Sequence, residues 1–466
     1  MQSKIKNEKS GFGSKLGFIL AAAGSAVGLG NIWRFPYLAA EYGGGIFLLV
    51  YLVLAVTFGF TLMVTEIAIG RRTGKSVINA YSSVNKKFAP LGWLAGAVPV
   101  IILPYYCVIG GWVLKYFTSY AAGVFTSDTN SSEFFTDFIG HFSSPMIFFV
   151  IYVILTAVIV MLGVKKGIEM VSKIMMPVLL LLIIGIGIYT LTLDGAWEGF
   201  TDYYLYPDFS KFSIKTVVAA MGQLFYSMSL AMGIMITYGS YMRKEDNIEG
   251  SVRHIEIFDT AVAFLAGMIV VPAVFAFSSQ APEVLSGEMT AEASLEANLK
   301  SGPGLMFMTL PNVFGSVTGG RILGIVFFLL VALAALTSSI SLMETVVAMI
   351  SEKFKVKRIA SCLIVIGITL ALGTLSVLGY SLWSTVKLFG MQLLDFFDFT
   401  SNNIMMPLVA LFTCILVGFV VKTKYIEDEV ELNAKFKSKQ LYRVMVKYIC
   451  PICMIAILVT PFIVTL

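Results

Sequence analysis

Long apolar runs alternate with short polar segments along almost the whole chain. Each run reaches the roughly 20 residues that an α-helix needs to cross the hydrocarbon core of a bilayer. The pattern therefore predicts an all-α membrane protein with eleven transmembrane helices. The predicted spans lie near residues 14–39, 45–69, 91–122, 145–163, 168–193, 214–242, 252–279, 321–351, 357–379, 385–421 and 441–465.

The first span contains glycines where a simple membrane helix would not place them. Residues 23–30 read AGSAVGLG, and each glycine costs about 1 kcal/mol relative to alanine inside a helix. Backbone groups that a break frees within the bilayer are tolerated where they line a cavity or bind something. The glycines therefore predict either an interrupted helix with a binding site near the membrane midplane or close packing against a neighbouring helix.

The sixth span repeats this anomaly. Residues 222–233 read GQLFYSMSLAMG and place two serines, an amide and two glycines inside a membrane helix. Spans one and six are five apart, as expected if five helices are followed by five more in inverted topology. In the eighth span, hydroxyls at residues 337–339 can ligate a hard cation, although serine and threonine often bond their own helix. The two matching interruptions favour a transporter.

Composition and charge agree with this interpretation. The chain is 58% hydrophobic and 13% charged, whereas soluble domains carry about 25% charged residues. Most lysines and arginines lie in the loops on the side of the N-terminus, which predicts a cytoplasmic N-terminus in the cell membrane. Eleven spans then leave the C-terminus outside. The net charge of +5 reflects topology and does not indicate nucleic acid. Two histidines and no nucleophile–base set indicate that the protein is not an enzyme.

Ionisable side chains within membrane spans are costly and usually functional. Glu66 lies in the second span, Asp259 in the seventh, and Asp395 and Asp398 in the tenth, while Arg34 follows the first interruption. Glu66 is close enough to the cytoplasmic end of its span that it could instead be solvated.

These residues resemble a known family. Residues 26–37, AVGLGNIWRFPY, resemble the first-helix signature of neurotransmitter:sodium symporters. Residues 105–106, 222–233, 337–339 and 394–398 resemble the matching segments of helices three, six, eight and ten. The resemblance implies the LeuT fold, an inverted repeat of five plus five helices with helices one and six broken, followed by one extra helix. Eleven spans instead of twelve resemble bacterial members.

The resemblance also implies how the chain is divided. It predicts a cytoplasmic N-terminal segment, a first five-helix repeat, an extracellular loop, an inverted second repeat, a cytoplasmic loop and a final helix. These correspond to residues 1–13, 14–193, 194–213, 214–421, 422–440 and 441–466.

Two sodium sites follow from the resemblance, matched residue by residue. The first would use the substrate carboxylate together with the carbonyl of Ala26 and the side chains of Asn31, Ser227 and Asp259. The second would use carbonyls and hydroxyls only, from Gly24, Val27, Ala334, Thr337 and Ser338. All-oxygen shells are what a hard cation requires.

The substrate implied by the resemblance is an amino acid. Tyr106 and the amides of Leu29 and Gly30 would hold its carboxylate. Met232 adapts its shape readily, which favours hydrophobic, including aromatic, L-amino acids. The side-chain pocket would comprise Ser25, Ile102, Tyr226, Ser229, Met232, Ser339 and Leu342, although Ile102 and Leu342 could equally be packing residues.

Gates are implied in the same way. Arg34 and Asp398 would close the outer path through a water-bridged pair, with Tyr226 as the lid, or Phe225 if the register differs by one. Lys9 and Glu352 resemble the inner pair, where the family usually has arginine in place of Lys9.

A further gating element resembles helix five of the family. Residues between Gly167 and Pro177 resemble the segment that unwinds to release the second sodium ion, although a static proline kink would give the same sequence.

The ion requirement follows from Asp259. Animal relatives place asparagine there and need chloride, and the position one turn later here is Ala263, which carries no charge. Asp259 would therefore supply the negative charge, and chloride would not be needed; alternatively, Asp259 is protonated. The resemblance predicts a sodium-coupled symporter working by alternating access. The alternative is a sodium- or amino-acid-gated channel or a transport-inactive sensor on the same scaffold.

Overall fold

The computed structural model describes residues 11–126, 129–299 and 302–464. In these ranges the chain is helical, and its only β contacts are two isolated bridges. The membrane helices are α1 (Lys15–Ala26 and Gly30–Glu41), α2 (Gly45–Thr73), α3 (Lys86–Ala121), α4 (Ser143–Met161), α5 (Val164–Thr190), α6 (Ile214–Ser227 and Ile234–Tyr241), α7 (Ile248–Ser279), α8 (Gly320–Phe354), α9 (Arg358–Tyr380), α10 (Leu393–Val420) and α11 (Lys439–Pro461).

The described helices are consistent with the eleven predicted spans. Nine are continuous and apolar enough to cross a membrane, and α1 forms a bent pair. The two halves of α6 complete the set. One boundary differs clearly: the tenth span was expected from residue 385, but α10 begins at Leu393. Phe389 and Gly390 have φ of 51° and 80°, so the preceding segment turns and cannot continue a right-handed helix.

The break in α1 confirms the interpretation of its glycines as an interruption. Its first half ends at Ala26, and Val27 is extended, with φ −70° and ψ 104°. The helix resumes at Gly30 after a bend of 54°. The carbonyls and amides between the two halves are thereby freed from the regular hydrogen-bond ladder.

The break in α6 is longer and spans residues 228–233. Ser229 and Ala231 have φ of 52° and 59°, a left-handed conformation that strains side chains larger than glycine. Gly233, with φ 72°, restarts the helix without that strain. Two strained residues persist in one short segment only because the surrounding structure fixes them.

Glu66 of α2 holds the broken segment of α6. Its side chain is buried, with 3% exposed, so the solvated alternative does not describe it. Its Oε1 accepts the backbone N–H of Ala231 at 2.6 Å. The second half of α6 packs closely on α2, since a Cβ at Gly70 would overlap the carbonyl of Ile236. Glu66 therefore satisfies a donor that the break removes from the helix.

Replacing Glu66 by leucine should destabilise the protein, because the buried N–H of Ala231 would lose its acceptor at a cost of about 1–3 kcal/mol. Glu66→Gln keeps a side-chain oxygen at the same distance from the backbone, so it should lose much less stability. Thermal unfolding of the purified variants in detergent measures the difference. Equal losses in both variants would show that this hydrogen bond does not stabilise the break.

Candidate functional site

A buried cavity lies where the breaks of α1 and α6 face each other. Its volume is about 30 Å³, and side chains of α3 and α8 close it. A cavity of that size holds about one water molecule, so a larger ligand requires surrounding side chains to move. The lining residues are Ser25, Ala26, Gly28, Leu29, Gly30, Asn31, Ile102, Tyr106, Tyr226, Ser227, Ser229, Met232, Ile234, Ser338 and Leu342.

The residues predicted for the first sodium site meet on one side of this cavity. Asp259 of α7 is fully buried. Its Oδ1 accepts hydrogen bonds from Asn31 Nδ2 at 2.8 Å and from Ser227 Oγ at 2.9 Å. Ala26 lines the same cavity. Three elements of the fold thus bring a carboxylate, an amide and a hydroxyl together.

One further residue contacts Asp259 and is absent from the sequence prediction. The hydroxyl of Tyr51, on α2, lies 3.4 Å from Asp259 Oδ2 and is buried. A tyrosine inside an apolar span carries no sequence signal of this contact, because only the packing of α2 against α7 creates it.

The residues predicted for the second site also converge. The hydroxyl of Ser338 lies 3.1–3.4 Å from four backbone carbonyl oxygens. Thr337 Oγ1 shares one of them, the carbonyl of Ala334, at 2.9 Å. The four carbonyls belong to Gly24, Ser25, Val27 and Ala334, and Ser25 is the one that the sequence prediction omitted.

This cluster holds more acceptors than its donors can satisfy. The Ser338 hydroxyl carries a single proton, so it can donate to one carbonyl at a time. The break in α1 removes the carbonyls of Gly24, Ser25 and Val27 from their own helix, and Ser229 Oγ donates to only one of these three, that of Ser25. Oxygen atoms crowded around one point without enough protons form the kind of shell that a hard cation binds.

The predicted carboxylate-binding groups are close together. The hydroxyl of Tyr106, on α3, lies 3.4 Å from the amide nitrogen of Leu29, and Gly30 lies in the same wall. Ser229 Oγ donates to the carbonyl of Ser25 at 2.9 Å. Backbone amides at the start of a half-helix attract an anionic group through the helix dipole.

Most of the predicted side-chain pocket lines the cavity, including Ile102, Met232 and Leu342. Ser339 does not. Its hydroxyl lies 3.2 Å from Tyr152 Oη and 3.0 Å from Thr156 Oγ1, both on α4. The helical rotation between Ser338 and Ser339 turns the second hydroxyl away from the cavity.

On the outer side, Tyr226 rather than Phe225 covers the cavity. Its ring lies against Gly30, where a Cβ would come within 2.8 Å of it, and the guanidinium of Arg34 lies 6.0 Å from the ring centroid. Phe225 packs instead on Phe58 of α2. Among the described residues no direct ion pair joins Arg34 to Asp398, whose Oδ1 accepts from Asn402 Nδ2 at 2.7 Å.

On the inner side, Lys9 lies outside the described residues. Its predicted partner Glu352 accepts from the amide of Ser76 at 2.9 Å and from Asn79 Nδ2 at 2.8 Å. The described part of the N-terminal segment closes this side through Phe12, whose amide donates to the carbonyl of Tyr241 at 3.1 Å.

Helix α5 begins irregularly at the predicted hinge. Gly163 has φ 89°, and Val164–Glu169 forms a wide π-helical turn. Gly167 is packed so closely that a Cβ would overlap the carbonyl of Ile159. Pro177 lies further along within regular helix.

A buried network next to the inner side carried no sequence signal. Glu344 of α8 accepts from Tyr241 Oη at 2.8 Å and pairs with Arg358. It connects α6, α8 and α9 near the point where Phe12 packs on Tyr241.

Known proteins resemble this chain over its length. The profile described as "Sodium:neurotransmitter symporter family" matches residues 9–137 and 130–465. A sodium-dependent transporter of Haemophilus influenzae, itself named as uncharacterized, is 32% identical over 97% of this chain and 98% of its own. The similarly named transporter YhdH of Bacillus subtilis is 34% identical over 95% and 96%.

A solved structure shares the architecture. The crystal structure of MhsT in complex with L-phenylalanine matches with a TM-score of 0.84 and 35% identity, over 97% of this chain and 99% of that one. Family and fold are those of a transporter and not of an enzyme. The two broken helices, the oxygen-lined cavity between them and these matches agree, and the chain belongs to the sodium:neurotransmitter symporter family.

Proposed function

We propose that this sodium-dependent symporter imports hydrophobic and aromatic L-amino acids by alternating access. Two sodium ions accompany each substrate, and chloride is not required. The protein lies in the cell membrane with its N-terminus in the cytoplasm, as the distribution of lysine and arginine indicates.

The crowded carbonyls around Ser338 are the observation that carries this proposal. Four carbonyl oxygens around a hydroxyl with a single proton resemble the all-oxygen shell that a hard cation binds. Asp259 adds a carboxylate to the first site. A sodium ion at each site would replace hydrogen bonds that now join oxygen to oxygen at 2.9–3.4 Å.

The walls of the cavity support an amino acid as substrate. Polar groups of Leu29 and Tyr106 and apolar side chains of Ile102, Met232 and Leu342 line the same cavity. The MhsT complex contains L-phenylalanine, an aromatic member of the proposed class. Methionine is flexible enough to admit side chains of different shape.

Coupling to two ions is energetically sufficient for accumulation. Two sodium ions with a zwitterion carry two charges, and each charge contributes about 2.3 kcal/mol per 100 mV. The membrane potential alone then supplies roughly 4.6 kcal/mol per 100 mV for each transport cycle.

A competition panel tests the substrate class. In proteoliposomes with an inward sodium gradient, unlabelled Trp, Phe, Tyr and Leu should each inhibit uptake of labelled Leu, and charged amino acids should not. Met232→Phe should weaken competition by Trp before competition by Leu, because the added ring fills the side-chain end of the cavity. Met232→Leu, similar in volume, serves as the control.

Two outcomes would contradict that assignment. Aromatic amino acids that never compete with Leu would remove the proposed substrate class. Sodium-dependent binding without accumulation would instead indicate the sensor alternative, since a sensor binds the same substrate but does not move it.

The chloride prediction rests on Asp259. Uptake by the wild-type protein should be unchanged when gluconate replaces chloride. Asp259→Asn should weaken apparent sodium affinity by roughly ten- to a hundredfold, the usual range for losing a hydrogen-bonded charge. Pairing it with Ala263→Ser, one turn along α7, should restore uptake in chloride only.

The single variant Ala263→Ser is the control and should keep chloride-independent uptake. Wild-type uptake that collapses in gluconate would show that Asp259 does not replace the anion.

A further inference from the structure

A concave pocket lies between the end of α10 and the beginning of α11, away from the transport cavity. Its volume is about 550 Å³. Four cationic side chains line it, and the described lining residues include no carboxylate. We call it the basic pocket, defined by Lys422, Lys424, Arg443 and Lys447.

The pocket lies on the same side of the membrane as the N-terminal segment. Helix Lys424–Val430, which follows α10, contacts the end of α2 through the buried pair Arg71–Glu429, 2.8 Å apart. Lys244 of the loop after α6 reaches the same carboxylate at 2.9 Å. That loop follows Tyr241, on which Phe12 packs. The basic pocket therefore faces the leaflet that the proposed topology assigns to the cytoplasm.

The local backbone concentrates the charges. Lys422 has φ 66°, so the regular helix cannot continue after α10, and Lys424 lines the same pocket as Phe419 at the end of α10. The stem of Lys447 packs on Gly418, where a Cβ would lie 3.4 Å from Lys447 Cγ. This contact fixes the base of the Lys447 side chain at the wall of the pocket.

In the described part of the chain, one of the four cations, Arg443, is paired with a carboxylate. Arg443 Nε and Nη2 donate to the two carboxylate oxygens of Glu427, each at 2.7 Å. This pair lowers the pKa of Glu427 to about 2. Among the described residues, no carboxylate is paired with the ammonium groups of Lys422, Lys424 or Lys447. Three like charges held at one pocket repel one another, and an anionic group relieves that repulsion.

Apolar surface borders the charges on the membrane side. Phe419 is 55% exposed and Tyr448 is 59% exposed, and each is adjacent to the pocket in sequence and on its own membrane helix. Aromatic side chains are typical of the depth where acyl chains meet headgroups. A soluble anion would not use this surface, whereas a lipid would place its chains against it.

We propose that the basic pocket binds the headgroup of an anionic phospholipid from the cytoplasmic leaflet. The phosphate lies among Lys422, Lys424 and Lys447, and the acyl chains lie along Phe419 and the exposed face of α11. Basic pockets between membrane helices on this side are suited to phosphate headgroups. The site lies outside the transport path, so the lipid holds α10 against α11 and is not cargo.

The test is a native mass spectrometry titration of the detergent-solubilised full-length protein with dioleoylphosphatidylglycerol and, separately, dioleoylphosphatidylcholine. The wild-type protein should bind the first phosphatidylglycerol at least tenfold more tightly than phosphatidylcholine. The triple variant Lys422→Asn, Lys424→Gln, Lys447→Met should lose that preference. Asparagine tolerates the left-handed backbone, and methionine keeps the packing of the stem.

The matched control is Lys355→Asn, Lys86→Gln, Lys87→Gln. It removes three exposed lysines, one of them also left-handed with φ 55°, and should bind phosphatidylglycerol within twofold of wild type. Thermal unfolding checks that both variants are folded. If the triple variant does not fold, the single variant Lys424→Gln should weaken binding of the first phosphatidylglycerol molecule about fivefold. This is the loss expected for one lysine near an anionic lipid.

Three results would overturn the proposal. If the triple variant and its control lose phosphatidylglycerol binding equally, general surface charge and not the basic pocket binds the lipid. If the wild-type protein binds both lipids equally, apolar contacts and not the headgroup charge account for the binding. Displacement of phosphatidylglycerol by millimolar glycerol phosphate would indicate a site for soluble anions. None of these results depends on whether the protein transports amino acids.

Discussion

The requirement that every buried backbone group find a partner governs this structure. In the middle of a bilayer no water is available to hydrogen-bond a freed amide or carbonyl, yet α1 and α6 both break there. The breaks are tolerated because freed groups find partners on other helices. Glu66 accepts the amide of Ala231. Beside the breaks, Gln223 donates from its Nε2 to the carbonyl of Gly30 at 3.0 Å, which joins the first half of α6 to the second half of α1.

Donors and acceptors are not balanced at the two breaks, and this imbalance determines what the site can bind. At the α6 break a carboxylate accepts the amide of Ala231, whereas carbonyls at the α1 break gather around hydroxyls that have too few protons for them. Among the described residues, carbonyl oxygens without a hydrogen-bond donor therefore remain near Ser338 of α8. In our proposal sodium ions bind these oxygens, and the bound ions hold the two halves of α1 in place. Strain at Ser229 and Ala231 is part of the same arrangement, because a regular α6 would withdraw these groups from the cavity.

Much of the fold could be predicted from the sequence. The lengths of the apolar runs locate the spans. The glycines in residues 24–30 and 222–233 locate both interruptions, because glycine is unfavourable inside a regular helix. The start of α10 was placed too early, since the run from residue 385 is apolar although its backbone turns at Phe389 and Gly390. Tyr51, the carbonyl of Ser25 and the capping role of Glu66 were missed. Each depends on contact between helices distant in sequence, and a single sequence does not record such contacts. The ligand assignments at Asp259 and Ser338 stay predictions.

Sodium binding stoichiometry shows whether the broken helices build two cation sites. Equilibrium binding of radioactive sodium to the purified protein, with saturating Leu present, should give two ions per chain. Ser338→Ala removes one hydroxyl from the cluster of carbonyls and leaves Asp259 untouched, so it should bind one ion at the same concentration. Thr345 is a buried residue of α8 whose hydroxyl donates to the carbonyl of Ser341 in its own helix, and Thr345→Ser should still bind two. Two ions retained by Ser338→Ala, or no saturable sodium binding by the wild-type protein, would show that the broken helices do not build two sodium sites.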